Sequence, residues 1–174
     1  MQDFNYNILL TSDNIYYVEL DKRLIDDYLI MVNDFDVQSK ISKKRNVYTF
    51  ESELEWINNK LKEKAVIFSM IDKKTKEFVG NVEFMHILDG KAEIGISITH
   101  KYQNKHYGTE ALKNMIDYGF NQLNLDEIYL IVFSNNFRAI HCYKKLGFKE
   151  YKRSDTFITI DGEEVCDIYM KILK

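Results

Sequence analysis

Two blocks in the second half of the chain carry the residues best suited to chemistry. In the first, an apolar, β-branched run over residues 94–98 is followed by a short polar turn and then by an amphipathic helical pattern. A strand that enters a helix through such a turn directs the free backbone N–H groups of the first helical turn at one point, where the positive end of the helix dipole also lies. The sequence therefore predicts an anion site that needs no charged side chain, with a phosphate-bearing cofactor as its occupant.

The second block is a helical pattern that begins at Asn135 and Asn136 and ends at Gly147. Asparagine is a favoured helix N-cap, and glycine is the usual residue just beyond a helix C-terminus. Tyr143 lies three residues after Ile140, which is also the spacing of a core aromatic residue. From spacing alone, Tyr143 is either a packing residue or a group that acts on a ligand.

These blocks must be positioned by a mixed α/β chain. We predict strands over residues 15–20, 66–71, 78–88, 92–98, 127–133, 148–152 and 165–173. Four helices are predicted from about residues 24, 49, 109 and 136, and Asp89-Gly90 indicates a hairpin. This order predicts one central sheet that is antiparallel at the front and contains parallel pairing near the anion turn. The predicted organisation is a single domain over residues 1–174.

Composition narrows the class of protein. The chain has 174 residues, 45% hydrophobic and 29% charged, with a net charge of −3 and a pI near 5.8. That charge argues against non-specific binding to nucleic acid or to anionic membranes. The two cysteines, Cys142 and Cys166, show neither a zinc-ligand spacing nor a disulfide framework, so no metal is expected. Residues 1–5 do not begin a signal peptide and no apolar run is long enough to span a bilayer, so a cytoplasmic protein is expected.

The two blocks together resemble the GNAT superfamily of N-acetyltransferases. Gln103-x-x-His106-x-Gly108 is similar to the cofactor loop of the family, and the stretch from Asn136 through Tyr143 to Phe148 is similar to its distal helix. The resemblance extends over nearly the whole chain. The ending, residues 157–173, is similar to the branch that contains polyamine and ribosomal-protein N-acetyltransferases. The resemblance as a whole implies a mixed α/β, GNAT-like fold of about seven strands, with a central splay, and about four helices.

The resemblance implies acetyl-CoA as co-substrate and predicts the residues that bind it. The loop after the 92–98 strand would hold the pyrophosphate through backbone N–H groups, and the strand edge would pair with the pantetheine amides. The predicted cofactor-binding residues are Ile96, Ser97, Ile98, Gln103, Asn104, Lys105, His106, Tyr107, Gly108, Thr109 and Asn136. His106 stands where the family usually has glycine. A histidine fits if its φ stays negative, and we expect its side chain to point to solvent.

The same resemblance assigns catalytic roles. Tyr143 matches the tyrosine that acts as an acid near the CoA sulfur, because the departing thiolate benefits from protonation. Asn136 matches a residue that contacts the pantetheine arm, and it can also be a simple N-cap. Glu83 and Glu93 are the candidate bases, since their segments resemble those whose carboxylates line the amine site in spermidine acetyltransferases. Either glutamate could instead lie on a solvated face, because the facing depends on the sheet register.

Three functions follow from this resemblance. The first is transfer of an acetyl group to a primary amine of a small polyamine. The second is acetylation of a protein N-terminus, as in the ribosomal-protein branch. The third is a non-catalytic acyl-CoA-binding module, for which the departure at His106 is the one supporting feature. The sequence does not fix the oligomeric state, and a homo-oligomer is possible because members of the family often dimerise.

Overall fold

The computed structural model describes residues 5–174 as one mixed sheet of eight strands with helices packed on both faces. The strands are β1 (Ile8–Thr11), β2 (Ile15–Val18), β3 (Val66–Asp72), β4 (Phe78–Leu88), β5 (Lys91–Ile98), β6 (Glu127–Phe133), β7 (Lys149–Ile158) and β8 (Glu164–Leu173). The helices are α1 (Ile25–Asn33), α2 (Phe35–Ile41), α3 (Phe50–Lys62), α4 (Tyr107–Asn121) and α5 (Phe137–Lys145). Residues 1–4, on which part of the signal-peptide expectation rests, lie outside the described residues.

Strand order in the sheet is β1-β2-β3-β4-β5-β6-β8-β7, and β5 with β6 is the parallel pair. The predicted mixed sheet and its hairpin at Asp89-Gly90 are therefore confirmed. Alternation along the strands divides the core into two parts. On β3, for example, Phe68 and Met70 pack in the core with α4, whereas Ile67 and Ile71 pack with α1 and α3.

Two elements were not predicted. The short edge strand β1 has mostly exposed residues, so it lacks the alternation that identifies a half-buried strand. The helix α2 occupies part of the polar stretch after α1, where Asp34 caps it by accepting bonds from the backbone N–H groups of Asp36 and Val37. Its seven residues include buried Gln38 and Ser39, so a hydrophobic pattern does not reveal it. Over residues 5–174 there are therefore eight strands and five α-helices rather than about seven and four.

The feature that matters for function is the early separation of β5 from β6. The two strands pair only at Lys91, Ala92 and Glu93 of β5, although β5 continues to Ile98 and β6 to Phe133. Beyond Glu93 the strands diverge, and β6 pairs on its other side with β8. The expected splay in the centre of the sheet is thus present, and it leaves one backbone edge of β5 without a partner from β6.

Candidate active site

A cleft of about 920 Å³ opens where β5 and β6 separate. Its walls come from α2, the end of β5, the loop that enters α4, the first turns of α4 and most of α5. All but one of the predicted cofactor-binding residues line it, together with Tyr143. Lys105 does not line the cleft and extends towards the ring of Tyr102, 5.7 Å from the ring centre.

The N-terminus of α4 is the anion-binding end of this cleft. No side chain caps the helix, and its first intrahelical bond joins Glu110 N to His106 O at 3.0 Å. The preceding N–H groups, at residues 107–109, therefore have no intrahelical acceptor. A Cβ atom added at Gly108 would meet Ile98 Cγ1 only at 4.0 Å. Packing within the protein does not demand glycine there, whereas the close approach of a phosphate to the backbone would.

The φ of His106 is not negative, which was the condition under which we expected a histidine to fit this loop. Its backbone is left-handed, with φ +68°, and Asn104 is left-handed as well, with φ +59°. The chain must reverse between the short 3-10 turn His100–Tyr102 and α4, and a glycine would make that reversal without strain. A non-glycine residue there costs about 1–2 kcal/mol of conformational energy. The side chain of His106 is exposed, as predicted.

Side-chain contacts hold this loop in place. Gln103 donates from Nε2 to the Ile98 carbonyl oxygen at 3.1 Å. Arg138 of α5 donates to Gln103 Oε1 at 3.0 Å and to Asn104 Oδ1 at 2.9 Å. Arg138 lines the cleft and was missed by the sequence analysis. Its position two residues after Asn136, in a block already assigned to the site, was the available signal.

The loop is also attached to the β3–β4 turn. The hydroxyl group of Tyr107 donates to Asp72, and burial together with this bond raises the pKa of Tyr107. Tyr102 donates in the same way to Glu77, and the two tyrosine rings meet edge to face at 5.1 Å. The side chain of Tyr107 thus anchors the loop, which leaves its backbone N–H as the part suited to a ligand.

The helix α5 brings Asn136 and Tyr143 to the opposite wall. Asn136 is its N-cap and accepts from Ala139 N at 3.3 Å. Tyr143 packs edge to face on Phe148 at 5.9 Å, and burial raises its pKa to about 12. The α4 and α5 helices meet where Thr109 Oγ1 lies 3.3 Å from Cys142 Sγ. The phenol of Tyr143 is therefore fully protonated at neutral pH and lies at the same cleft as the anion site.

Glu83 and Glu93 share the sheet face opposite to α4, because their strand neighbours Val82 and Ile94 point into the α4 core. Neither glutamate lines the cleft as it stands. Glu83 accepts from Lys60 Nζ at 2.7 Å. Glu93 Oε2 lies 3.8 Å from His86 Nε2. Burial raises the pKa of Glu93, the neighbouring His86 opposes that rise, and the charge of Glu83 adds to it.

Charged residues on α2 face the other walls of the cleft. Asp36 Oδ2 lies 3.4 Å from His100 Nδ1, and Lys40 Nζ lies 4.0 Å from Asp161 Oδ2. All four line the cleft, and none of them was among the predicted catalytic or cofactor-binding residues. Asp36 and Lys40 could not be found from the sequence because α2 itself was not predicted.

Over residues 5–174 no group of three or more His, Cys, Asp or Glu side chains is arranged to hold a metal ion. No helix there is both long enough and apolar enough to cross a membrane.

Comparison with known proteins agrees with this geometry. A family model described as an acetyltransferase (GNAT) domain matches residues 18–149. Spermidine N(1)-acetyltransferase from Escherichia coli is 47% identical over 74 residues, a match that spans 41% of this chain and only 40% of the length of that enzyme. The Vibrio cholerae enzyme of the same name is 32% identical over 121 residues, 63% of this chain and 70% of the relative.

The fold is also that of solved structures. The crystal structure of spermidine N-acetyltransferase from Vibrio cholerae in complex with CoA and spermine has a TM-score of 0.84 and 25% sequence identity. The superposition covers 93% of this chain and 96% of the other. The similarity of fold therefore extends over nearly the whole chain.

Proposed function

The chain belongs to the GNAT acetyltransferases, and we propose that it transfers the acetyl group of acetyl-CoA directly to a primary amine of a small polyamine. One observation carries this proposal: the separation of β5 from β6 lies beside the uncapped N-terminus of α4, and Tyr143 lines the same cleft. The relatives named for spermidine acetylation, and the similar structure that holds CoA and spermine, support a polyamine as the amine.

The residues of the cleft fit acetyl-CoA. The N–H groups at residues 107–109 and the positive end of the α4 dipole suit the pyrophosphate, and Arg138 places a positive charge beside them. The unpaired edge of β5, over Ile96, Ser97 and Ile98, suits the amides of the pantetheine arm, which would pair with it as an added strand does. Bound acetyl-CoA would supply the thioester, whose acetyl carbon is the electrophile.

Transfer needs two proton movements. The amine nitrogen attacks the acetyl carbon, the carbon–sulfur bond breaks, and the thiolate leaves. Tyr143 donates a hydrogen bond and then its proton to the sulfur, which stabilises the leaving group. The phenolate regains a proton from the newly acylated nitrogen, which must lose one to become the amide. Its pKa of about 12 keeps the phenol protonated over the working pH range. The amine must first lose the proton that it carries near neutral pH, since a primary ammonium of this kind titrates near pH 10.

We propose that Glu83 and Glu93 serve the amine side of the sheet. Both carboxylates attract a cation, and Glu93 is the better proton acceptor because burial raises its pKa towards neutrality. Glu83 is already neutralised by Lys60 at 2.7 Å, so its contribution is to the local field rather than to proton removal. Since neither glutamate lines the cleft, the proton would reach Glu93 through a water molecule.

The test is release of free thiol from acetyl-CoA with spermidine, spermine and a pool of N-terminal peptides supplied in parallel. Turnover with the polyamines and not with the peptides is the expected result. Turnover with peptides alone would move the activity to protein N-termini. CoA binding without turnover on any amine would indicate a module that binds acyl-CoA and does not catalyse transfer.

A further inference from the structure

Next to the cleft, the ammonium group of a lysine side chain lies against a carboxylate and an aromatic ring of the same chain. We propose that Asp167 and Phe157 form a site for a primary ammonium group, which Lys43 occupies until an ammonium group of the substrate displaces it. The inference rests on the proposed function, because it assigns the second charge of a polyamine to a place on the protein. It makes Asp167 a determinant of the preference for diamines and polyamines over monoamines.

The geometry around Lys43 is that of alkylammonium recognition. Its Nζ atom lies 2.7 Å from Asp167 Oδ2 and 4.0 Å from the centre of the Phe157 ring. Phe133 packs edge to face on Phe157 at 5.3 Å and fixes the orientation of that ring. A carboxylate beside an aromatic face binds an ammonium through a charge-assisted hydrogen bond and a cation–π contact. Both contacts recognise any alkylammonium group, whether or not it belongs to the chain.

Lys43 forms a hydrogen bond with only one of the two carboxylate oxygens of Asp167. The residue is 6% exposed, and its Oδ1 atom is buried without a hydrogen-bond partner. An unpaired polar atom in the interior is destabilising and usually indicates a missing partner. An ammonium group has three N–H donors, so a ligand placed more centrally over the carboxylate could satisfy both oxygens.

Lys43 is suited to be displaced. Its side chain is 53% exposed, and it stands in the loop over residues 42–49, between α2 and α3. The base of this loop is fixed: Gln38 makes two hydrogen bonds with the backbone of Asn46, and Asn33 makes two with the backbone of Tyr48. Lys43 itself is held by its ammonium group, and release of its long side chain regains rotamer entropy.

The site lies beside residues that line the cleft. Asp167 on β8 is the register partner of Phe133 at the end of β6, where the strand has diverged from β5. Asn135, two residues further on, lines the cleft, and so do Lys40 and Ile41 just before the loop of Lys43. A flexible polyamine with one nitrogen at the splay therefore extends towards Asp167 along this wall.

The test compares steady-state KM values for spermidine with those for a monoamine, butylamine. Lys43→Met removes the competing ammonium, so the KM for spermidine should fall about fivefold, the equivalent of about 1 kcal/mol. Lys44→Met is the matched control, because it removes the same charge from the same loop and its side chain is exposed. Lys43→Arg, which keeps the charge, should retain the KM of the unmodified protein.

Asp167→Asn should raise the KM for spermidine at least fivefold and leave the KM for butylamine within twofold. Equal KM changes for both amines, or equal effects of Lys43→Met and Lys44→Met, would overturn the proposal. Calorimetric titration with spermidine separates the site from the catalytic function. Tighter binding to Lys43→Met than to the unmodified protein, without turnover, would uphold the site and reject the acetyltransferase assignment. Equal binding to both proteins would reject the site.

Discussion

Tyr143 is the residue whose chemistry the account depends on most. It lines the cleft from α5, packs on Phe148, and has a pKa raised to about 12 by burial. Tyr143→Phe removes the proton donor and keeps the ring. We expect kcat to fall about 100-fold or more, the usual loss when a general acid is removed. The measurement is thiol release at saturating acetyl-CoA and amine, with thermal unfolding as the check on structure.

The pH dependence of activity is an independent test of the raised pKa of Tyr143. A phenol with a pKa of about 12 stays protonated as the pH rises from 7 to 10, while the amine and its proton acceptor lose protons. Activity of the unmodified protein should therefore rise over this range without a descending limb. A decline between pH 8 and 10 that Tyr143→Phe abolishes would contradict the raised pKa, although it would still leave Tyr143 in the reaction.

Substitution of His106 measures the conformational cost of a non-glycine residue with a left-handed backbone in the cofactor loop. Its φ of +68° is one that glycine adopts without strain, so His106→Gly should raise the free energy of unfolding by up to about 1 kcal/mol. The Kd for CoA should stay within about threefold, since the exposed side chain leaves the N–H groups where they are. Urea unfolding and calorimetric titration measure the two quantities.

Lys105→Gly is the matched control for His106→Gly. Lys105 is the neighbouring exposed residue and its φ is not positive, so glycine there should lower stability. CoA binding that tightens tenfold in His106→Gly would show instead that the histidine side chain obstructs the cofactor.

At the scale of single elements, the N-terminus of α5 combines a structural and a ligand-binding role in Asn136. Asn136→Ala removes the cap on Ala139 N and should cost about 1 kcal/mol of stability. Asn136→Ser keeps a capping oxygen and should cost only a few tenths. Both variants lose the amide group, so both should raise the KM for acetyl-CoA about fivefold. If the KM of Asn136→Ser for acetyl-CoA equals that of the unmodified protein, Asn136 acts only as a helix cap.

The elements that could be predicted are those whose own residues show an apolar run or a helix-end signal. The apolar runs of β4 and β6 were located to the residue, and Gly147, with φ +99°, ends α5 as expected. The edge strand β7 runs to Ile158, well past the predicted residue 152, because it pairs with β8 through two register shifts and shows no apolar alternation.

What could not be predicted depends on contacts between distant segments. The facing of Glu83 and Glu93 follows from the β4–β5 register, in which Glu83 pairs with Gly95 and Met85 with Glu93. The ion pair of Lys43 with Asp167 joins residues 124 positions apart. The backbone of His106 is set by the reversal of the chain rather than by the preference of histidine. Each of these needs the assembled sheet.

For the whole molecule, the cleft lies between two halves of one sheet, so a ligand bound there should stabilise the fold. At a concentration 100 times its Kd, CoA should add about 2.7 kcal/mol to the free energy of unfolding. For a chain of this size that corresponds to a rise in Tm of about 5–10 °C. Pantetheine, which lacks the pyrophosphate, should give a smaller rise at the same concentration, and equal rises would argue against the α4 N-terminus as the anion site.

The most direct test of direct transfer follows the acetyl group itself. The protein is incubated with spermidine and with acetyl-CoA labelled in the acetyl group, and the label is located by mass spectrometry. The account predicts that the label lies on an amine nitrogen of spermidine, with one free thiol released per label and none retained by the protein. Label found on the protein, on Cys142 for example, would contradict direct transfer. CoA binding with no label transferred to any amine would contradict the assignment of an acetyltransferase.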